Sequence, residues 1–275
     1  MTKGVPTMKQ NLRIYLIAAF GWTWFCWIGA YLISLTSGYS LLTGGTLFDL
    51  LALVPADKGW LPQLLFALGV YGPLIGFLLV GRGEQKPISK PAAKRFAVLA
   101  VLLPLMIGIP TVVVSLILGY FNPGEATPGA LLGLIGLYFI SNFLTSGTEE
   151  LGWRGFLFPY LRQKAAGFWL ATWKGGIIWA VWHYPLMVIL YLGQGPWVLL
   201  PTLVGFTAGI VAMNYITNFI YVKTQSLPLV MGFHALNNTV NFAIMLVFPG
   251  TPLLFLTSLT AWAVVAYLDK KQPLA

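Results

Sequence analysis

Charged residues, histidine and cysteine are all scarce in this sequence. Only 8% of its 275 residues are charged, against about a quarter in soluble domains. There are two histidines, and the one cysteine, Cys26, excludes an intrachain disulfide. Such a cysteine packs as a small hydrophobe and gives no information about the redox compartment. A mean hydropathy of +0.80 excludes an ordinary soluble domain.

Long apolar runs take up most of the chain. A run of about 20 residues can cross a hydrocarbon core of ~30 Å as a helix. Runs of this kind lie near residues 14–36, 61–81, 96–120, 131–149, 175–192, 198–222, 227–248 and 252–268. The sequence therefore predicts an all-α, polytopic membrane bundle of about eight transmembrane helices, built as a single integral-membrane domain over residues 1–275. The first run is interpreted as a retained span, because it is longer than the apolar region of a signal peptide.

Two connections between these runs have an unusual composition. The loop 37–60 contains the apolar stretch 46–54, which predicts a short helix at the membrane interface. The segment 150–174 mixes charged and aromatic residues. It is too polar to span a membrane and too apolar to stay in water, so we expect it to lie in the interface or to fold back against the bundle.

Basic residues collect on one side of the predicted bundle. With eight spans and both termini on one side, that side holds 15 of the 16 Lys and Arg residues, and only Lys58 lies opposite. Positive charge favours the cytoplasmic side, so both termini are predicted to be cytoplasmic. The net charge of +9 is then a topology signal beside anionic lipid, and no nucleic-acid partner is expected.

A few ionisable side chains nevertheless lie in or beside the apolar runs, where they are costly and mark functional sites. Glu149 and Glu150 end the fourth run, and Arg154 follows four residues later. His183 and His234 lie inside the fifth and seventh runs. At 1.5 Å per residue both imidazoles are predicted ~10–13 Å below the cytoplasmic surface, in one layer with Glu149. A cavity open to the cytosol would supply the water.

Spacing along the helices separates the roles of these residues. Glu150 and Arg154 are four residues apart and can pair on one helix face, whereas Glu149 points about 100° away and is free to accept a proton. His234 and Asn238 are also four apart and project from one face. An acid that activates water, an imidazole beside it, and a second imidazole with an amide for an oxyanion form a complete set for amide hydrolysis.

Each feature alone also fits a structural role. The two acids can be interfacial, with Arg154 as a topology charge, and the histidines can be helix-packing hydrogen bonders. An alternative function is a proton-coupled transporter in which Glu149 and the histidines relay protons. Against it, the sequence shows no inverted repeat. Four small residues would allow close helix packing: Gly175, Gly176, Gly205 and Gly209.

Taken in order, three motifs resemble those of the CPBP intramembrane proteases, also called the CAAX-prenyl-protease-like or Abi family. They are Glu149-Glu150-x-x-x-Arg154, Trp179-x-x-x-His183 and His234-x-x-x-Asn238, and the resemblance covers about residues 130–245. Trp179 stands where the family usually has Phe.

The resemblance implies an endopeptidase that cuts a peptide bond near the cytoplasmic face. Glu149 would be the general base with His183 beside it, and His234 and Asn238 would stabilise the oxyanion. Glu150 and Arg154 would form a structural pair.

The resemblance also implies the partners of the chain. They are the lipid bilayer of a bacterial cell and a protein or peptide substrate. Family members cleave prenylated CAAX proteins in eukaryotes, and many bacterial members are linked to bacteriocin self-immunity or peptide processing, so a non-catalytic immunity or scaffold role is the further alternative.

The metal requirement stays open in the sequence. Glu149, His183 and His234 are ligand types that suit zinc, but their spacing is not His-Glu-x-x-His. Asn238 favours an oxyanion role, because a carboxamide is a poor zinc ligand.

Overall fold

A computed structural model describes residues 8–81 and 93–274 of the chain, and within these residues it contains helices and no strands. The helices are α1 (Met8–Ser37), α2 (Leu47–Leu51), α3 (Trp60–Gly69), α4 (Gly72–Val80), α5 (Ala93–Ile117), α6 (Pro128–Leu144), α7 (Glu149–Gly152), α8 (Phe158–Lys164), α9 (Phe168–Trp182), α10 (Tyr184–Tyr191), α11 (Pro196–Thr224), α12 (Leu227–Val247) and α13 (Phe255–Lys271). Six helical stretches are long and apolar enough to cross a membrane, or eight if each of two bent helix pairs forms one span. The predicted all-α membrane bundle is therefore confirmed.

The two bent pairs are α3 with α4, at 51°, and α9 with the helical stretch from Tyr184 to Gln194, at 46°. Proline lies in the first turn of both α4 and α10. Proline has no N–H and fits the first turn of a helix, so a new helix begins at each bend. His183 is the residue at the second bend.

The helices pack as a bundle with two distinct ends. α1 packs against α3 and α4, α9 against α11, and α12 against α5 and α6. A hydrogen bond from Trp169 Nε1 to Asp269 Oδ1 joins the first turn of α9 to the last turn of α13. We call this end, where α1 begins and α13 ends, the terminal end. The opposite end, which carries residues 38–59, is the loop end.

Large apolar side chains are exposed around the outside of the bundle, as expected for a surface in contact with lipid. Ile17, Leu78 and Val204 are each more than two-thirds exposed. The interior is aromatic, and Tyr15, Trp182 and Phe219 are fully buried. The motif residues lie in this aromatic interior, so their polar groups are shielded from lipid.

The predicted short helix in the first loop is present as α2. Thr46 caps it, and the side chains of Thr46 and Asp49 form a reciprocal capping box. This box satisfies two N–H groups at the start of the helix. Leu51 is 79% exposed, which suits an interfacial helix.

The segment 150–174 folds back into the bundle, which is one of the two arrangements that its composition predicts. Trp153, Phe156 and Leu157 are almost fully buried. The helical path of α6 therefore continues beyond Glu149, and residues Pro128–Lys164 form one apolar stretch of 37 residues. The expectation that Glu149 ends a span is wrong, because these aromatic and aliphatic side chains extend the buried helix.

Two other span boundaries also differ from the prediction. The first run is predicted from residue 14, whereas α1 begins at Met8. The fifth is predicted from residue 175, whereas α9 begins at Phe168, which is 1% exposed and packs into the core.

Candidate active site

Glu149 and Glu150 lie in the first turn of α7, just after a 3-10 turn formed by Ser146–Thr148. Both side chains are buried, at 2% and 0% exposure. A π-helical turn follows at Trp153–Leu157, where the N–H of Phe158 donates to the carbonyl of Trp153. Single π turns of this kind are frequent at functional sites.

Two indoles hold one oxygen of Glu149. Trp153 Nε1 and Trp179 Nε1 each donate to Glu149 Oε2 at 3.1 Å. Oε1 makes no hydrogen bond to any of the described residues. The carboxylate is thus held by one oxygen while the other can accept a proton. The sequence does not predict either indole contact.

Glu150 connects two of the three motifs. Its Oε2 lies 2.9 Å from Arg154 Nη1, and its Oε1 accepts a hydrogen bond from His234 Nδ1 at 2.9 Å. The predicted ion pair with Arg154 is present. From the sequence alone, no acid could be assigned to orient either imidazole. In the structure Glu150 orients the imidazole of His234.

Arg154 is fully buried, at 0% exposure, so the alternative of a topology charge at the membrane surface is wrong. Its guanidinium also donates to Asn214 Oδ1 at 2.7 Å and to the Thr217 hydroxyl. Buried charges persist when they are paired and hydrogen-bonded. These contacts supply buried Arg154 with hydrogen-bond partners beside Glu150 inside the bundle.

Both histidines present one ring nitrogen to the interior of the site. His183 Nδ1 lies 2.9 Å from the carbonyl of Trp179. A carbonyl only accepts, so this nitrogen carries the proton, and neutral His183 has a free lone pair on Nε2. In the same way the Glu150 carboxylate assigns the proton of His234 to Nδ1.

Asn238 is held by a second asparagine. Its Nδ2 donates to Asn142 Oδ1 at 3.1 Å, and Asn142 Nδ2 donates to the carbonyl of Tyr138. One of the two N–H bonds of Asn238 is thus used. Asn142 is not among the predicted site residues, although a polar side chain within an apolar run is itself a signal.

One cavity brings the predicted site residues together. It has a volume of about 140 Å³, and we call it the motif cavity. Glu149, His183, His234 and Asn238 all line it. Glu150 and Arg154 lie behind this cavity and hold His234 from the far side.

A second cavity, which we call the loop cavity, shares Ser146, Glu149 and His183 with the first. Its volume is about 170 Å³. It extends between α3 and α6 to the loop end, where Leu42–Leu50 form its wall. Neither cavity is lined by a described residue of the terminal end. The expected opening of the site toward the end with the basic residues is not formed by either of these two cavities.

The helices that carry Glu149 and His183 extend further toward the terminal end than predicted. Glu149 lies 15 residues before Lys164, and His183 lies 15 residues after Phe168. At 1.5 Å per residue each is roughly 22 Å along its helix from that end, whereas His234 lies seven residues after Leu227, the start of α12, as predicted. The difference arises because both helices are longer at that end than the apolar runs indicate.

The side chains do not fit a zinc site. Among residues 8–81 and 93–274, no three His, Cys, Asp or Glu side chains form a group that could hold a metal ion. Glu149, His183 and His234, the candidate ligands, therefore do not gather as a ligand set.

Comparison with known proteins gives two similarities. The family model described as Type II CAAX prenyl endopeptidase Rce1-like matches residues 131–240, which include all three motifs. CAAX prenyl protease 2 of Methanococcus maripaludis is 26% identical over 201 residues, covering 67% of this chain and 66% of that protein. The alignment thus spans just under two-thirds of the relative's length.

Proposed function

We propose that this chain is a CAAX-type intramembrane protease of the CPBP family, an endopeptidase that acts on proteins or peptides at the membrane; its similarity to the Rce1-like family model and to a CAAX prenyl protease supports the proposal. One observation carries the proposal. The motif cavity is lined together by Glu149, His183, His234 and Asn238, which come from three separate parts of the chain. A site for amide hydrolysis requires a general base, a hydrogen-bond acceptor for the attacking water, and oxyanion donors around one cavity.

In the proposed mechanism Glu149 and His183 hold the attacking water. Glu149 Oε1 removes one proton from the water, while the unprotonated Nε2 of His183 accepts a hydrogen bond from the other O–H. The oxygen then attacks the carbonyl carbon of the substrate. When the C–N bond breaks, Glu149 gives its proton to the leaving amine, so the carboxylate is regenerated.

His234 and Asn238 stabilise the charge on the tetrahedral intermediate. The Nδ2 of Asn238 has one N–H that is not used by Asn142. His234 donates its Nδ1–H to Glu150, so its Nε2 can donate to the oxyanion only when the ring is protonated. The Glu150 carboxylate is the counter-ion of that protonated form. Donors placed where charge develops contribute strongly to the rate.

The proposed substrate class follows the name of the relative, a CAAX prenyl protease. We therefore propose protein or peptide substrates at the membrane, including prenylated ones. The prenyl requirement can be measured with two quenched peptides of the same CAAX sequence, one farnesylated and one not. Cleavage of the farnesylated peptide alone supports a prenyl-binding substrate site, and equal cleavage contradicts it.

We also propose that the chain lies in a bacterial cell membrane with both termini in the cytoplasm. Arg154 is buried and so does not count as a loop charge. Of the other 11 basic residues within 8–81 and 93–274, ten lie at or near the terminal end and Lys58 lies at the loop end. This asymmetry supports a cytoplasmic terminal end.

The decisive test is Glu149→Gln. Glutamine keeps the shape of the side chain and an oxygen that accepts both indole N–H groups, but it cannot act as a base. We expect proteolysis to fall by roughly 10²–10⁴-fold, the usual contribution of a general base. The measurement compares newly cut peptide ends in membranes of cells that carry the wild type or the variant.

The matched control is Glu125→Gln, which changes an exposed acid in the loop before α6. It should leave the cut ends unchanged. If membranes of the wild type and Glu149→Gln contain the same cut ends, the proposed activity is wrong. Proton flux into proteoliposomes that depends on Glu149 would instead favour the transporter alternative.

A further inference from the structure

The helix α11 carries a row of buried polar side chains, although none of the three motifs lies on it. Asn214, Thr217 and Asn218 stand at positions i, i+3 and i+4, so they share one face of the helix. Their exposure is 4%, 1% and 0%. Polar groups inside a membrane-spanning helix are costly and point to a specific use. This face of α11 therefore needs an explanation beyond helix packing.

The orientation of the Asn214 side chain is fixed by α9. Its Nδ2 donates to the carbonyl of Thr172 at 2.8 Å, and its Oδ1 accepts from Arg154 Nη2 at 2.7 Å. A carbonyl only accepts and a guanidinium only donates. Turning the carboxamide over would place acceptor against acceptor and donor against donor. One orientation of Asn214, with its oxygen toward Arg154, is therefore strongly favoured.

Two side chains of α11 together fix the guanidinium of Arg154. Its Nη2 donates to Asn214 Oδ1 and to the Thr217 hydroxyl. That hydroxyl is itself held, because it donates to the carbonyl of Met213 at 2.7 Å. A guanidinium is planar and rigid. Two acceptors at Nη2 therefore also set the direction in which Nη1 points, and Nη1 lies 2.9 Å from Glu150 Oε2.

The same series of contacts continues from Arg154 to His234. Glu150 binds Nη1 of Arg154, and its Oε1 accepts from His234 Nδ1 at 2.9 Å. Glu150 and Arg154 have long side chains with several rotatable bonds, so a pair held only by each other would keep much of its rotational freedom. The contacts to α11 remove this freedom. The ring of His234 is thus oriented by hydrogen bonds that begin at Asn214.

We propose that Asn214 is a positioning residue of the site. It holds Arg154 against Glu150, and through Glu150 it orients the His234 imidazole in the motif cavity. The effect of Asn214 on a reaction rate rests on the proposed peptidase function. The effect of Asn214 on the His234 ring does not, so the two effects are tested separately.

The first experiment follows the His234 ring and needs no proteolysis. The chain has two histidines, so nitrogen NMR of protein labelled only in the histidine rings gives the signals of two imidazoles, and His183→Gln assigns them. Asn214→Leu has a similar volume but neither accepts from Arg154 nor donates to Thr172. We expect the Nδ1 signal of His234 to shift in this variant, because its bond to Glu150 changes, while the His183 signals stay as in the wild type.

Asn218→Leu is the matched control. Asn218 lies one turn further along α11, is also buried, and donates to the Thr172 hydroxyl at 3.3 Å. Within residues 8–81 and 93–274 it makes no hydrogen bond to Arg154 or Glu150. Its histidine signals should match those of the wild type. Unchanged His234 signals in Asn214→Leu, or an equal shift in Asn218→Leu, overturns the proposal.

Thr217→Val provides a second test if Asn214→Leu does not fold. Valine keeps the shape of threonine but removes the other acceptor of Arg154 Nη2. The Nδ1 signal of His234 should again shift while the His183 signals stay. A His234 signal at its wild-type position in this variant overturns the proposal, because α11 then does not control the ring.

The second experiment measures the rate with a peptide that contains a Glu149-dependent cut site. We expect Asn214→Leu to lower kcat about ten-fold with little change in KM, because it removes a hydrogen bond to a charged group behind the site and no contact with the substrate. Asn218→Leu should cleave like the wild type, and an equal fall in both variants overturns the proposal. If the wild type produces no Glu149-dependent ends, the proposed peptidase is wrong, while the histidine signals still decide the role of Asn214.

Discussion

Trp179 contacts polar groups from all three motifs. Its indole donates to Glu149, its carbonyl accepts from His183, and its ring packs edge-on against His234 with a centroid separation of 5.3 Å. The Arg154 guanidinium lies 4.7 Å from the ring centroid, within the range of a cation–π contact. The indole N–H of Trp179 is thus a donor to the proposed base that a Phe ring could not supply.

We predict that Trp179→Phe lowers kcat with little change in KM. The variant keeps an aromatic ring but loses one hydrogen bond to a carboxylate, an interaction of about 1.5–3 kcal/mol. If ~1.4 kcal/mol of this interaction energy serves to position Glu149 in the transition state, kcat should fall about ten-fold. Steady-state cleavage of a peptide that contains a Glu149-dependent cut site gives both constants.

Trp153→Phe is the matched comparison. It removes the other indole donor to the same oxygen, but Trp153 has no ring contact with either histidine. A similar fall in kcat in both variants assigns the effect to the hydrogen bonds. A fall in Trp179→Phe alone shows that the Trp179 donor positions Glu149 and the Trp153 donor does not, and no fall in either variant contradicts a positioning role.

A second prediction at this scale concerns Glu150. Glu150→Gln removes the counter-ion of buried Arg154 and the acceptor charge for His234. Loss of one partner of a buried ion pair costs about 3–5 kcal/mol, because the other charge stays buried. We expect a clear drop in the melting temperature of the purified protein, measured by intrinsic tryptophan fluorescence, whereas Glu125→Gln should melt like the wild type.

The spacing of residues along a helix predicts some of these contacts and misses others. Glu150 and Arg154 are four apart, so their pairing follows from helix geometry alone. The contact between Glu150 and His234 joins positions 84 residues apart, and it depends on how α7 and α12 pack. The spacing of residues along one helix does not predict how two helices pack. The catalytic roles themselves stay predictions.

At the scale of the helices, glycines determine how closely neighbours approach. A Cβ at Gly176 would lie 3.0 Å from the Val211 Cα, and one at Gly209 would lie 2.7 Å from Ser258 Oγ. At Gly205 nothing lies within 4 Å. The expectation of close packing thus holds at Gly176 and Gly209 and fails at Gly205, and composition alone cannot separate these positions.

We predict that Gly176→Ala destabilises the protein and that Gly205→Ala does not. The first variant forces α9 away from α11, and overpacking of this kind costs typically about 1–3 kcal/mol. The second replaces an unconstrained helical glycine, which favours the helix by about 1 kcal/mol. Thermal unfolding in one detergent compares the two, and equal shifts would contradict the packing argument.

Helix boundaries show the limit of hydropathy as a guide to this fold. Apolar runs predict the number of spans well, because each crossing needs about 20 apolar residues. They underestimate the length of the helical stretch around Trp153 and Arg154, because these side chains are buried in protein and do not contact lipid. A charged residue in such a segment lowers the hydropathy without ending the helix.

At the scale of the whole molecule, the positions of the basic residues predict the orientation. Alkaline phosphatase folds into its active form only outside the cytoplasm. We expect it to be inactive when fused after Lys271 and active when fused to a chain truncated after Gly44, because positive-inside bias holds the terminal end in the cytoplasm. Phosphatase activity in cells expressing each fusion is the measurement, and the reverse pattern contradicts the orientation.

The ion pair inside the bundle has a consequence for biosynthesis. The stretch from Pro128 to Lys164 leaves the ribosome before Asn214, Thr217 and His234, the later partners of its charges, have been made. Glu150 and Arg154 are both on this stretch, so they can neutralise each other while it enters the bilayer. An isolated charge there would oppose insertion by about 2.5–3.5 kcal/mol. Because Glu150 and Arg154 are close on the same helix, the stretch from Pro128 to Lys164 can enter the membrane before the later helices of the site have been made.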